Sequence, residues 1–262
     1  MKRLLLALLL VASAAQAELS RFEYTGHLSF DPNRVISAGG GTLGALMAEI
    51  FGPSAASGQA VVTGRMAYQT DTPAAAKNAV IAGYPTALQS SQIDLGAVTV
   101  ALDLAQVRAN AASSQIGLVA FPNGGFCVDS EHCVPLGVRN APWGMAGIAL
   151  NGSRSFLHDE TGTSDLNVDV FGFLMGRTAA PGEFAPALQT SGFGVVSVHG
   201  LSWGLFGLPG SDFLTSLTLP PMTQFEGTTQ IGRTELWLEF EGGTLLQTIR
   251  VEGVISAVNV LK

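Results

Sequence analysis

The stretch RFEYTGHLSF, Arg21 to Phe30, decides the fold. Phe22, Tyr24, Leu28 and Phe30 take alternate positions, with Gly26 among them, and Glu23, Thr25, His27 and Ser29 fill the places between. A period of two sends each set to its own face of an extended chain, so one face is apolar and the other wet. That is a strand half-buried against a core.

The pattern recurs downstream. QAVVTGRMAYQ sets Val62, Met66 and Tyr68 against Thr63, Arg65 and Gln69, and LGAVTVALDL groups Val98, Val100, Leu102 and Leu104. QIGLVAF, SDLNVDVFGFLM, GFGVVSVHGLSWGLF, RTELWLEFE and the closing LLQTIRVEGVISAVNV read the same way. The 32 glycines and 12 prolines supply the turns between them. Eight or more such runs with Gly/Pro/Asn-rich connections predict an all-β chain, an antiparallel β-sandwich of jelly-roll or lectin-like type. One or two short peripheral helices are expected beside it. In GTLGALMAEIFG the apolar residues Leu43, Leu46, Met47, Ile50 and Phe51 recur at helical spacing and Gly52 stops the run. PAAAKNAV is the second candidate.

The first 17 residues, MKRLLLALLLVASAAQA, have a basic start, a leucine-rich centre and a small-x-small ending. That is the anatomy of a cleaved secretory signal. Residues 18–262 then form one sandwich domain, exported to the periplasm or the extracellular space. Without Lys2 and Arg3 the basic residues number 11 against 20 acidic, a net charge of −9. Such a chain has no electrostatic footprint for nucleic acid or anionic lipid. No later segment reads as a membrane helix, and three Tyr with three Trp make poor aromatic girdles for an outer-membrane barrel.

Export gives the two cysteines a meaning. Cys127 and Cys133 enclose five residues, and in an oxidising compartment such a pair is expected to form a disulfide. A metal site built on them with His132 lacks a full ligand set.

Catalytic patterns fail on inspection. GLSWG around Ser202 resembles a nucleophile elbow, but LFGLPG cannot begin the helix the elbow needs, and all four histidines precede the serine. On RTELWLEFEGG, Glu235, Trp237, Glu239 and Glu241 share one strand face. A tryptophan among carboxylates suits stacking on a sugar ring, making Glu235, Trp237 and Glu239 a candidate ligand surface. Their carboxyls fall about 13 Å apart along the strand, where retaining glycoside hydrolysis needs about 5 Å. Asp165, Asn167 and Asp169 alternate on another strand, where oxygen ligands can converge on calcium, without the helix–loop calcium spacing. No other cofactor is indicated.

Two segments carry a family resemblance. GRMAYQTDTPA, followed by AGYPTALQSSQIDLG, resembles the G-x-[FM]-x-Y-[DQ]-T-D-[AT]-P strand and the Tyr-x-x-Ala segment of proteobacterial PEP-CTERM (exosortase-sorted) proteins. TLPPMTQF, TELWLEFE and VEGVISAVNV resemble their far end. The resemblance implies a secreted β-sandwich. The Pro-Glu-Pro motif, apolar helix and basic tail of that family do not follow the last strand here, so surface anchoring is not implied. On this reading Asp71, Thr72 and Pro73 form a turn, Tyr68 packs at its strand end, and the function is non-enzymatic. The chain would bind a polysaccharide or another envelope protein, or serve as a structural component.

Overall fold

The computed structural model describes residues 19–36, 40–74, 76–77, 79, 81–84, 86–97, 99–101, 125–127, 133–135, 142–152, 168–177, 188–208, 211–226, 231–241 and 247–262. The expected signal, residues 1–17, lies outside them. The strands are β1 (Leu19–Ser29), β2 (Val35–Ile36), β3 (Gly41–Thr42), β4 (Gln59–Gln69), β5 (Ala76–Lys77), β6 (Ile81–Tyr84), β7 (Leu88–Asp94) and β8 (Thr99–Ala101). The second half adds β9 (Gly125–Cys127), β10 (Cys133–Pro135), β11 (Pro142–Gly152), β12 (Val168–Arg177), β13 (Leu188–Thr190), β14 (Gly194–Phe206), β15 (Ile231–Glu241) and β16 (Gln247–Leu261).

All strand pairs are antiparallel, and one sheet runs in the order β5-β6-β11-β12-β14-β15-β16-β1-β4-β7-β8, with β13 added to β14. The fold is the expected all-β antiparallel sandwich, made by folding this one sheet over on itself. Phe22 on β1 lies 4.7 Å from Trp203 on β14 and 5.9 Å from Phe173 on β12, ring centre to ring centre. Along the sheet β1 and β14 are separated by two strands, so only a folded sheet brings those rings together. One cross-strand row helps the curl: Gly83, Gly147, Gly172 and Gly204 are successive partners on four neighbouring strands. A row without Cβ atoms lets a sheet bend where side chains would crowd.

The alternation in RFEYTGHLSF sorts as read: Phe22, Tyr24 and Leu28 are at most 2% exposed, while Arg21, Glu23, Thr25 and His27 point outward. The inward rings form one aromatic cluster, in which Tyr68 stands 5.1 Å from Phe173 and 5.5 Å from Phe171. Burial of such rings is the main favourable term in folding.

The two ends of the sandwich are closed differently. At one end lies α1 (Leu43–Phe51), started by Thr42, whose Oγ1 accepts the Ala45 N–H at 3.3 Å, and stopped at Gly52 with φ +95°. Of the stripe read from the sequence it buries Leu43, Leu46, Met47 and Ile50, with Phe51 partly buried against the core. The other end is closed by a strap between β14 and β15 that buries Leu214, Leu217, Leu219, Met222 and Phe225. The second expected helix is not formed: Ala76 and Lys77 of PAAAKNAV are a short strand paired with Gly83 and Ala82. Good helix formers cannot nucleate a turn in so short a run, and the open edge of β6 takes them instead.

Candidate functional site

The strap shows what the sequence motifs do. Tyr68 donates its phenol hydrogen to the Pro220 carbonyl, and Tyr84 donates to the Leu217 carbonyl. Asp169 Oδ2 accepts the Leu214 N–H at 2.8 Å, and Ser20 Oγ accepts the Met222 N–H at 2.8 Å. Four polar side chains therefore satisfy backbone groups of a buried connection that has no ladder of its own. Phe225 stacks between Phe171 at 5.6 Å and Phe213 at 4.9 Å. The AYQTDTP, GYPTA and LTLPPM segments meet here.

Beyond Tyr68 the chain turns at Thr70–Asp71, and the local bond is made by the Thr72 hydroxyl, which donates to the Gln69 carbonyl at 3.0 Å. This turn also walls a pocket of about 590 Å³ with Gln69, Asp71, Thr72, Pro73, Thr86 and Gln89. Gln89 enters because β7 carries one extra residue there. Ala67 pairs with Ser90 and Tyr68 with Leu88, leaving Gln89 between them. Such a bulge re-aims a side chain, and the Gln89 amide nitrogen bonds to the Thr86 and Ala87 carbonyls at 3.1 and 3.2 Å.

A second depression, of about 360 Å³, lies on the outer face of β16, β1, β4 and β7. One cross-strand row runs Asn259–Glu23–Arg65–Gln92, and the next carries Thr25, Thr63 and Asp94. Arg65 Nε donates to Glu23 Oε1 at 2.5 Å. With the Arg65 side chain 72% exposed, this pair orients two groups more than it stabilises the fold. The outer face is polar at this depression and the inner face aromatic, while farther along the strands Val61 and Val254 are exposed on either side of His27. Among the described residues, no helix is long and apolar enough to cross a membrane.

The predicted site residues scatter. Glu235, Trp237 and Glu239 sit on β15, opposite Ser202, Gly200 and Ser197 on one side and Glu252, Arg250 and Thr248 on the other. Thr234, next to Glu235, is 1% exposed, and Glu252, the β16 partner of Glu235, lies seven residues along that strand from Asn259 at the end of the Arg65 row. Asp165 and Asn167 lie outside the described residues. Asp169 is 4% exposed, and its Oδ2 is engaged by the Leu214 N–H of the strap. Among the described residues no group of three or more His, Cys, Asp or Glu is placed to hold a metal ion. Cys127 and Cys133 are direct partners across β9 and β10, a separation of about 4.5–5.5 Å between Cα atoms that suits a disulfide.

The Arg65 row was missed as a site. Its alternation was visible, but the pairing that assembles it from four distant segments was not. Compared with known proteins, the chain matches no family model, no curated protein and no solved structure.

Proposed function

We propose that this chain is an exported, non-catalytic binding domain that holds a neutral polysaccharide in the periplasm or extracellular space. The observation behind it is the Asn259–Glu23–Arg65–Gln92 row beside Thr25, Thr63 and Asp94. Amides, hydroxyls and carboxylates at two-residue spacing offer donors and acceptors to a chain of hydroxyl groups. The cation in the depression, Arg65, is already paired with Glu23, which disfavours an anionic ligand. The strands beneath are held by buried rings, so the surface is set before a ligand arrives.

The export signal at residues 1–17 and the likeness to PEP-CTERM proteins support the location. In that compartment Cys127 and Cys133 form a disulfide. Alkylation of the exported protein without reductant tests it: unchanged mass is expected, and a two-fold adduct overturns it. Reduction would cost about 2 kcal/mol for so short a loop.

A glycan array on the exported protein tests the binding role. Binding that fails in Arg65→Ala and survives in Trp237→Ala is the expected result. The opposite pattern would move the site to Glu235, Trp237 and Glu239, where Gly200 beside Trp237 leaves one flank of that position without a side chain.

A further inference from the structure

The 360 Å³ trough and the 590 Å³ end pocket share the strand pair β4–β7. We infer that they are two parts of one cleft, in which a single neutral polysaccharide chain lies along β4 and β7 with its terminal unit in the Asp71 pocket. This rests on the polysaccharide reading of the trough and adds its length and direction.

The pleat carries the inference. Thr63, Arg65, Ala67 and Gln69 fall successively on the outer side of β4, and Asp94, Gln92 and Ser90 face the first three across β7. Thr63 and Arg65 line the trough, and Gln69 lines the end pocket. The row between them is Arg21–Ala67–Ser90, in which Ala67 is 7% exposed and Ser90 is exposed, so the path between the depressions runs over the small Ser90 side chain on β7 with Arg21 on its far flank. The β7 bulge then turns Gln89 into the pocket, and the Thr70–Asp71 turn closes the path beyond Gln69. From Thr63 to Gln69 the strand covers about 20 Å, enough for several sugar units in file.

The chemistry is the same at both ends. Asp94 and Glu23 in the trough and Asp71 in the pocket accept hydrogen bonds from hydroxyl groups, and the pocket lining contains no cation. Pro73 gives the pocket an apolar surface for the C–H face of a ring. Sugar acids and phosphorylated ligands would meet carboxylates at each end.

Calorimetric titration of the full exported chain with cello-, chito- and malto-oligosaccharides, from disaccharide to hexasaccharide, tests this. One series is expected to gain about tenfold or more in affinity with length. Ser90→Trp, a change at an exposed position, should hold the hexasaccharide at the disaccharide's affinity, and Asp71→Asn should weaken the hexasaccharide about tenfold. Affinity independent of length, with binding still lost in Arg65→Ala, would overturn the single cleft and leave the trough standing. A length gain that survives Ser90→Trp would also overturn it. If no oligosaccharide binds at any length, the cleft and the polysaccharide reading fall together.

Discussion

The inner and outer faces of β1 and β4 are built from the same twenty-odd residues and do opposite work. Inward, Phe22, Tyr24, Met66 and Tyr68 are at most 2% exposed, and the Phe22 ring packs against those of Tyr24 and Tyr68. Outward, Glu23, Thr25, Thr63 and Arg65 stand in solvent with one exposed ion pair among them. Stability should therefore live on one side of the sheet and binding on the other. Changes on the inner face should unfold the protein, and changes on the outer face should leave it folded but blind to its ligand.

Trp203→Ala should show the largest effect. Its ring touches Phe22, Tyr24, Phe171 and Phe173, and it is fully buried. Removing it should cost about 3–5 kcal/mol in a urea titration; a loss under about 1 kcal/mol would mean that the aromatic cluster does not hold the fold.

The three tyrosines sharpen the contrast within the inner face. Tyr68→Phe and Tyr84→Phe each strand a strap carbonyl and should cost about 1–3 kcal/mol. The Tyr24 hydroxyl has no hydrogen-bond partner among the described residues, so Tyr24→Phe should be neutral or stabilising. Equal losses from all three would refute the clamps. Gly64→Ala, beside Tyr24, tests the packing itself: a Cβ there would lie 2.3 Å from the Tyr24 ring, and overpacking of this kind costs about 1–3 kcal/mol.

Alkali acts on the same face. Burial pushes the phenols of Tyr24 and Tyr84 above the ordinary tyrosine value. Below about pH 10 folded and unfolded chains are both protonated and this contribution is complete. Above it the unfolded chain releases protons that the folded chain keeps, so stability falls as pH rises. Phenolate absorbance from Tyr24 and Tyr84 should therefore rise together with loss of near-ultraviolet dichroism. Phenolate formed near pH 10 in a still-folded protein would contradict this.

The strands and their inner faces were legible because alternation is local. RFEYTGHLSF and QAVVTGRMAYQ each declare which residues are buried without reference to the rest of the chain. Helix α1 was legible for the same reason. The short run PAAAKNAV was misread because its fate depends on β6, an edge that sequence does not display. The trough was illegible as a unit: Asn259 and Glu23 meet because the last strand pairs with the first, and Gln92 joins them through β7. The partner of Asp169 was equally hidden: its carboxylate accepts the Leu214 N–H of a connection 45 residues away, a contact no local pattern displays.

Arg65→Ala should change stability little and is the most direct test of the divided sheet. The guanidinium is 72% exposed and Glu23 stays solvated when it is gone, so denaturation should shift by less than about 1 kcal/mol. Glycan affinity should nevertheless fall about tenfold, because Arg65 both donates to the ligand and holds Glu23 in place. Salt separates these roles from simple charge attraction. A neutral ligand gains nothing from long-range steering, so wild-type affinity should hold when salt is raised. Affinity that collapses with salt would mean a charged ligand, and a stability loss as large as that of Trp203→Ala would mean that the outer row is part of the scaffold.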